Sequence, residues 1–383
     1  TDVNGFCQEG FGSFDRNIYR GRRLSAARAY LHPVKGRQNL DVLCGALTTR
    51  IEFDGQRACA VHYARGRKPE VRVSADEIIL CGGAINSPQL LQLSGVGNGH
   101  DLSALDIDVV HDLPGVGANL QDHLEVYVQH ACTEPVSMAP ALRWWNKPFI
   151  GYQWLFHRKG PAATNHFEAG GFIRSNEDVA YPNVQFHFLP LAIRYDGSSP
   201  NTDHGYQVHV GPGSSEARGY VTLKSTDPRE HPKLHFNYLS APKDRQEWIE
   251  AIRAARHILG QPAFDPFNGG ELSPGPTVQT DDEIIDWVGR DAETALHPSC
   301  TCKMGTDDMA VVDPETFRVH GLEGLRVVDA SVMPYVTNGN IYAPVMMIAE
   351  RAAAAITGED SLAPSTTSFY RHGGPAGDRT PPI

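Results

Sequence analysis

The sequence lacks several features that would assign it to a broad class of protein. No apolar run reaches the roughly 18 residues that a membrane-spanning helix needs. Its 7 cysteines among 383 residues are too few for a disulfide framework, so we expect a reducing compartment. Basic residues are in deficit, since 34 Lys and Arg against 45 Asp and Glu give a net charge of −11. Because such a surface repels a phosphate backbone, we expect no nucleic-acid partner.

What the sequence does contain is the composition of a globular protein. Hydrophobic residues make up 41% and charged residues 21%, which argues against a disordered chain. The length of 383 residues suffices for two or three ordinary domains. The end of the chain differs, because residues 363–383 are rich in Pro, Gly, Ser and Thr. We expect that segment to be a disordered tail.

The first third of the chain has the pattern of mixed α/β structure. Residues 39–43, 49–53 and 58–64 predict short strands separated by turns. Residues 77–81 are nearly all apolar, which predicts a strand buried on both faces. This run leads through a glycine pair into a short helix, an arrangement that lets the backbone approach a dinucleotide closely.

The middle of the chain changes to alternation of apolar and polar residues. Residues 184–188, 206–210, 220–223 and 234–238 predict an antiparallel sheet with one covered face. Apolar residues then recur at helical spacing over residues 248–259. Thr280 and Glu283 form a capping box for the next helix, and a last helix is predicted over residues 344–357.

Four sequence blocks resemble those of one enzyme family. Residues 83–97 (GAINSPQLLQLSGVG) are similar to the second signature of the glucose-methanol-choline (GMC) oxidoreductases, and residues 112–123 (DLPGVGANLQDH) are similar to the family's next block. Residues 297–305 (HPSCTCKMG) and 325–334 (LRVVDASVMP) resemble its C-terminal blocks as they stand in bacterial choline dehydrogenases. The resemblance extends from the first residue to about residue 362.

This resemblance implies a mixed α/β (α+β) fold class, with part of a GMC-type FAD-binding domain and a substrate domain. We assign residues 1–125 and the return segment 291–362 to the FAD-binding domain. Residues 126–290 form the substrate domain, whose antiparallel sheet is covered by helices. These boundaries are expectations from the family blocks.

The family's G-x-G-x-x-G turn, which cradles the FAD pyrophosphate after the first strand, is absent from the sequence. We therefore expect the N-terminal portion of the FAD-binding domain to be missing, so that the chain looks like a C-terminal fragment. On that expectation, residues 1–383 alone bind FAD poorly, lack activity, and aggregate through an unpaired sheet edge at residues 77–81.

The resemblance also implies the catalytic residues. Oxidising an alcohol requires a base for the hydroxyl proton, and histidine has a suitable pKa. The family block makes His297 that base and places Asn340 beside it, where a neutral amide can donate a hydrogen bond to the substrate oxygen. Asn340 is also suited to cap the last helix, and the two roles are compatible.

Substrate binding is implied by residues 165–171 (NHFEAGG), which resemble the choline-binding segment of choline-oxidising members. A carboxylate in an aromatic pocket would hold the fixed positive charge of choline. We expect His166 and Glu168 to have this role, since alternation along a strand would direct both to one face. A surface charge is the alternative for Glu168.

The resemblance implies FAD as the cofactor. The family's contacting positions fall at Thr48 for the adenine, at Gly83 in the signature, and along the flavin at Asp329, Ala330, Asn340, Ala343, Pro344 and Val345. These are contacts made mainly by the backbone, so the side-chain types constrain them weakly.

The predicted reaction is oxidation of choline to betaine aldehyde, a step of glycine betaine biosynthesis, with electrons passing to a quinone or another acceptor. We expect a cytoplasmic protein, in solution or peripheral at the bacterial inner membrane. Two alternatives are another GMC dehydrogenase or oxidase for a neutral alcohol, and an inactive scaffold fragment without FAD. The spacing of His297, Cys300 and Cys302 also permits a zinc site, although it lacks the remaining ligands.

Overall fold

A computed structural model describes residues 2–6, 8–194, 196–198, 202–360, 362–363 and 366. The predicted disordered tail at residues 363–383 lies almost wholly outside the described residues. No helix in the described part of the chain is long and apolar enough to cross a bilayer.

The strands found in these residues are mostly short. They are β1 (Gly10–Ser13), β2 (Ile18–Tyr19), β3 (Arg22–Arg23), β4 (Leu47–Asp54), β5 (Arg57–Ala64), β6 (Val71–Ser74), β7 (Ile78–Leu80), β8 (Val96–Gly97), β9 (His111–Asp112), β10 (Ala118–Leu120), β11 (Leu124–Cys132), β12 (Ala169–Ile173), β13 (Val184–Leu189), β14 (Gly205–Pro212), β15 (Gly219–Thr222), β16 (Lys233–His235), β17 (Asn268–Ser273), β18 (Glu293–Thr294) and β19 (Leu325–Val327).

The α-helices of the same residues vary from one turn to five. They are α1 (His32–Val34), α2 (Gly83–Leu93), α3 (Gly99–Ser103), α4 (Ala139–Leu142), α5 (Lys147–Tyr152), α6 (Pro242–Leu259), α7 (Asp281–Asp291) and α8 (Tyr342–Thr357).

The largest sheet is antiparallel and has the strand order β1-β12-β13-β14-β11-β17, with β18 pairing the start of β11. Its alternating residues sort onto two faces, as the sequence predicts. Val184, Phe186, Val208 and Val210 are buried on the face that α6 and α7 cover. The covered antiparallel sheet is therefore confirmed, and its polar residues lie on the opposite face.

Two of the four alternating runs belong to a different sheet. β15 and β16 pair with β10 in a separate three-stranded sheet, so the prediction of one continuous series is wrong. The reason is that other groups bond the backbone of β15. The side chain of Gln92, buried on α2, donates to the Val221 carbonyl at 2.9 Å, and Val221 N–H donates to the Gly117 carbonyl at 2.7 Å.

The strand predicted at residues 77–81 exists as β7, but it is not buried on both faces. Ile78 and Leu80 are buried, whereas Ile79 is 41% exposed. β7 pairs in parallel with β19, so the run has a neighbour along one edge, and its sheet consists of these two strands among the described residues. The partner comes from 245 residues further along the chain, counting from Leu80 to Leu325, and local pattern cannot reveal it.

Of the other predicted elements, all but one are confirmed. The strands at residues 49–53 and 58–64 are confirmed as parts of β4 and β5. The strand at residues 39–43 is wrong, because most of that stretch is exposed and nothing covers it. α6 buries Trp248, Ile252 and Leu259, and α7 has the predicted capping box at its start.

The last helix confirms its predicted end but not its predicted cap. Gly358 has φ +71° and follows Thr357, as expected for a glycine that ends a helix. The cap position at the start is Ile341, and no side chain caps it. The alternative that Asn340 caps α8 is therefore wrong, which leaves its amide available for other contacts.

Two hydrophobic cores support these layers. One core gathers α2, β7, β19 and the buried side chains of residues 300–336. The other lies between the large sheet and the helix pair α6 and α7. The segment around residues 295–300 links them, since Ser299 exchanges backbone hydrogen bonds with Gln121 directly before β11.

Candidate active site

The polar face of the large sheet forms one wall of a cavity of about 1110 Å³. Gln185, His187 and His209 project from this face, and residues of the segments 295–297 and 337–344 also line the cavity. A volume of this size accommodates a drug-sized or larger ligand. Both predicted catalytic residues, His297 and Asn340, line it.

His297 is held at both ring nitrogens. Its Nδ1 lies 3.0 Å from Nδ1 of His123, and its Nε2 lies 3.2 Å from Nδ2 of Asn340. Burial, followed by the neighbouring His123, lowers the pKa of His297 to about 4. The imidazole is consequently neutral at pH 7, which is the form that can accept a proton.

The backbone next to His297 is fixed by a buried carboxylate. Asp122 Oδ1 accepts the His297 N–H at 2.9 Å, while its Oδ2 accepts hydrogen bonds from the hydroxyls of Tyr238 and Thr294. Burial raises the pKa of Asp122, although these three hydrogen bonds oppose the change. Asp122 thereby ties the start of β11 to the segment that carries His297.

Asn340 is joined to the sheet as well as to His297. Gln185 Nε2 donates to Asn340 Oδ1 at 3.1 Å, which leaves the amide NH₂ of Asn340 facing His297. The structure thus brings together the two residues that the family block paired across 43 positions of sequence.

His166 and Glu168 are not on the cavity wall. They precede β12, which begins at Ala169, and His166 has a left-handed φ of +67°, so the expected strand alternation is wrong here. The Glu168 side chain is 56% exposed and pairs with Arg16 at 2.6 Å. The neighbouring Asn165 and Phe167 do line the cavity, so Glu168 stands at its edge.

Sequence reasoning missed a buried carboxylate and several histidines. Glu125 lies on the cavity wall with 7% exposure, and His209 Nδ1 approaches its Oε1 at 3.0 Å. His123 and His187 also line the cavity. The available signal for Glu125, His187 and His209 was alternation, because they interleave with the apolar residues of β11, β13 and β14. His123 lies before β11, and its signal was its place in the block at residues 112–123.

The predicted cofactor-contacting residues fall into three places. Asn340, Ala343 and Pro344 line the cavity. Gly83, Asp329 and Ala330 lie at the start of α2 and the turn beside it, and Val345 packs against the core that contains α2. Thr48 lies in β4 opposite Tyr63. Gly83 N–H donates to Asp329 Oδ2 at 2.9 Å, so the start of α2 and the 329–330 turn brace one another.

The residues on the cavity wall fit a flavin. Near His297 the wall carries small or neutral groups, including Gly339, Ala343 and Pro344, and the cavity has room for a ring system and a small alcohol together. Gly339 fits closely against this wall, since a Cβ there would stand 3.3 Å from the Phe172 ring, a tight contact that the ring would have to relieve by a small shift.

The zinc alternative does not fit the geometry. Among the described residues no three His, Cys, Asp or Glu side chains are grouped to hold a metal ion. Cys300 and Cys302 are buried in the α2 core, and burial raises the pKa of the Cys300 thiol to about 12. The H-x2-C-x-C spacing therefore reflects core packing rather than a metal site.

A neutral histidine and an amide donor facing one cavity can take a proton from a hydroxyl group and stabilise the oxygen that loses it. The fold and the site thus define an enzyme of the alcohol-oxidising class. The GMC oxidoreductase profiles match residues 1–125 and 215–349, and the chain belongs to the GMC oxidoreductase family. Members of this family are FAD-dependent oxidoreductases that act on CH–OH donors.

Individual relatives agree with the family assignment. The chain is 61% identical to the oxygen-dependent choline dehydrogenases of Staphylococcus saprophyticus and Staphylococcus xylosus, over 97% of this chain and 67% of each relative. It resembles the crystal structure of pyridoxine 4-oxidase from Mesorbium loti with a TM-score of 0.80 and 30% identity, covering 92% of this chain and 65% of that one. A fungal aryl-alcohol oxidase gives a TM-score of 0.77 at 25% identity, covering 91% and 66%.

The comparisons do not support the expectation that the N-terminal FAD-binding portion is missing. The family's N-terminal profile matches residues 1–125, so this part of the chain does belong to that domain. The chain spans about two thirds of the length of the curated relatives that it matches.

Proposed function

We propose that this chain serves an FAD-dependent enzyme that oxidises choline to betaine aldehyde, for glycine betaine biosynthesis. The observation that carries the proposal is the neutral His297, whose Nε2 faces the cavity beside the Asn340 amide. The 61% identity to proteins named oxygen-dependent choline dehydrogenases supports the choice of alcohol.

The chemistry assigned to the chain is proton transfer and charge stabilisation. When bound, FAD supplies the acceptor for the hydride that leaves the alcohol carbon. His297 Nε2 accepts the hydroxyl proton once the substrate oxygen takes the place of Asn340 as its partner. Asn340 Nδ2 then donates to the substrate oxygen as negative charge develops there.

Two carboxylates are candidates for the cationic end of choline. Glu168, with His166 beside it, keeps the role that the family segment implies. Glu125 is added by the structure, because it is buried on the same wall as His187 and His209. A buried carboxylate interacts more strongly with a cation than an exposed one that already has an arginine partner.

The test is a comparison of alcohols on the flavin-loaded protein. Choline is compared with 3,3-dimethylbutan-1-ol, which has the same shape without the charge, by anaerobic bleaching of the flavin absorbance. We expect choline to bleach the flavin at concentrations at least about tenfold lower, since one charge contact is worth about 1.5–3 kcal/mol. Equal responses would favour the neutral-alcohol alternative, and no response to either would favour a scaffold without activity.

We further propose that the electrons pass to a quinone or another acceptor and that the protein works in the cytoplasm, in solution or peripheral at the inner membrane. The net charge of −11 disfavours tight contact with anionic lipid. Fractionation of the producing cells tests the location, and recovery solely in detergent extracts would contradict it.

A further inference from the structure

His123 occupies a buried position between a backbone carbonyl and the proposed base. It is 7% exposed, its Nε2 lies 3.0 Å from the Gly213 carbonyl oxygen, and its Nδ1 lies 3.0 Å from His297 Nδ1. The two imidazole rings are nearly perpendicular, at 87°, with centroids 5.1 Å apart. Asp122 directly precedes His123 in the chain, and its carboxylate accepts the backbone N–H of His297.

Gly213, His123, His297 and Asn340 form a row of successive hydrogen bonds. The Gly213 carbonyl fixes where the protons lie in this row. A carbonyl oxygen only accepts, so the proton between Gly213 and His123 belongs to His123 Nε2. Burial lowers the pKa of His123 despite the opposing effects of the Gly213 and Thr337 carbonyls, Asp122 and Glu125. A neutral imidazole carries one N–H, so Nδ1 of His123 is an acceptor. The proton between the two histidines therefore belongs to His297 Nδ1.

The contacts at the Asn340 end of the row also place the His297 proton on Nδ1. Gln185 Nε2 donates to Asn340 Oδ1, so Asn340 presents its NH₂ group to His297 Nε2. An amide NH₂ group only donates, so His297 Nε2 must accept through its lone pair and carries no proton. Both ends of the row thus place the His297 proton on Nδ1 and leave Nε2 free of a proton on the cavity side.

We propose that His123 is a positioning residue that holds His297 in the Nδ1-protonated tautomer, so that Nε2 serves as the base. This inference rests on the proposed function for its catalytic meaning, whereas the tautomer itself is a property of the folded protein. His123 lines the cavity, but its two ring nitrogens are engaged by Gly213 and His297, so neither is assigned to the substrate hydroxyl. It acts through His297.

Two variants of His123 separate the proposed role from simple space filling. In His123→Asn the side-chain oxygen stands near the former Nδ1 and can accept from His297. In His123→Gln the amide reaches the former Nε2 position toward Gly213 but provides no acceptor beside His297. The two replacements are both polar amides, so they form a matched pair.

The experiment records two-bond ¹⁵N–¹H correlations of the flavin-loaded protein with ¹⁵N-labelled histidine rings, with His297 assigned from the spectrum of His297→Gln. We expect His297 to be protonated on Nδ1 in the parent and in His123→Asn. In His123→Gln only Asn340 still favours that form, so we expect a measurable fraction of His297 to carry its proton on Nε2 instead. Protonation on Nε2 in the parent, or an unchanged tautomer in His123→Gln, would overturn the inference. Flavin content and thermal midpoint establish that each variant is folded.

Steady-state kinetics with choline supply the second readout. We expect kcat to fall by about 10- to 100-fold in His123→Gln, with KM changed little, and His123→Asn to retain most of the activity. Equal losses in both variants would contradict positioning by the Nδ1 acceptor. If the spectra agree but His297→Gln turns over choline normally, the proposed function fails while the tautomer assignment stands.

Discussion

Two carboxylates near the cavity differ in their surroundings, and this difference is testable at the scale of single residues. Glu168 is exposed and paired with Arg16, whereas Glu125 is buried on the cavity wall. Replacement by glutamine keeps the shape and removes the charge in each case. We expect Glu125→Gln to raise KM for choline by about 10- to 150-fold, because a desolvated charge contact is worth about 1.5–3 kcal/mol.

The matched control for that prediction is Glu168→Gln with the same two alcohols. If Glu168 holds the cation instead, the loss for choline follows Glu168→Gln and spares Glu125→Gln. In either case 3,3-dimethylbutan-1-ol should be little affected. Equal losses for both alcohols in one variant would mean that the residue supports folding rather than recognition of the cation.

The imidazoles of the cavity make a second prediction at this scale, on acid stability. Burial lowers the pKa of His187, whose ring lies against Phe14 and Phe167, to about 4. An unfolded histidine has a pKa of about 6.5, so between these values the unfolded chain binds the proton first. The stability due to neutral His187 is present above pH 6.5 and is lost as the pH falls toward 4.

At pH 5 this loss amounts to at most about 2 kcal/mol for His187. We therefore expect the thermal midpoint to fall between pH 7 and pH 5, and to fall by less in His187→Gln, which cannot take up the proton. Midpoints measured at both pH values for both proteins check this. An identical fall in the variant would show that His187 is not the group being protonated.

At the scale of elements, local sequence signals predicted helices better than sheets. The capping box, the apolar stripe of α6 and the closing Gly358 depend on residues a few positions apart, and all three are present. The sheet to which β15 belongs depends on a contact with α2, and the partner of β7 is β19. Both contacts join residues more than 100 positions apart in the chain. Alternation identifies a strand and its faces, but it does not specify the neighbour.

The capping box of α7 yields a prediction for this scale. Thr280 accepts the Glu283 N–H, and the Glu283 carboxylate accepts the Thr280 N–H at 2.9 Å. Thr280→Ala removes one half of the pair and should lower the free energy of unfolding by about 1 kcal/mol. Thr280→Ser keeps the hydroxyl and should remain close to the parent in thermal unfolding. A similar loss in both variants would assign the effect to the lost methyl group.

At the scale of the whole molecule, the site is assembled from segments that lie far apart in sequence. The start of β11, the strands β13 and β14, the segment at residue 297 and the turn before α8 all contribute to one cavity. The family blocks located His297 and Asn340, and the structure places them 3.2 Å apart. The block at residues 112–123 contains His123 without indicating a role for it, and no block contains Glu125, because both positions acquire their role only when the fold brings them to the cavity.

At the same scale, one motif says less about a domain than the pattern of a whole segment. The sequence lacks the G-x-G-x-x-G turn, and residues 1–125 nevertheless match the family's N-terminal model. A motif concerns one loop, whereas the pattern of buried and exposed positions runs through a whole domain. The antiparallel sheet with its helical cover was predictable because that pattern is spread over many residues.

His297 is the residue proposed to remove the hydroxyl proton of choline, and its replacement by alanine tests this role. The kcat/KM for choline is compared between the flavin-loaded parent protein and His297→Ala, with flavin content measured in both. The account predicts a loss of about 10²- to 10⁴-fold, the usual contribution of a general base, with the flavin still bound. A variant that retains its flavin and oxidises choline within about threefold of the parent rate would contradict it.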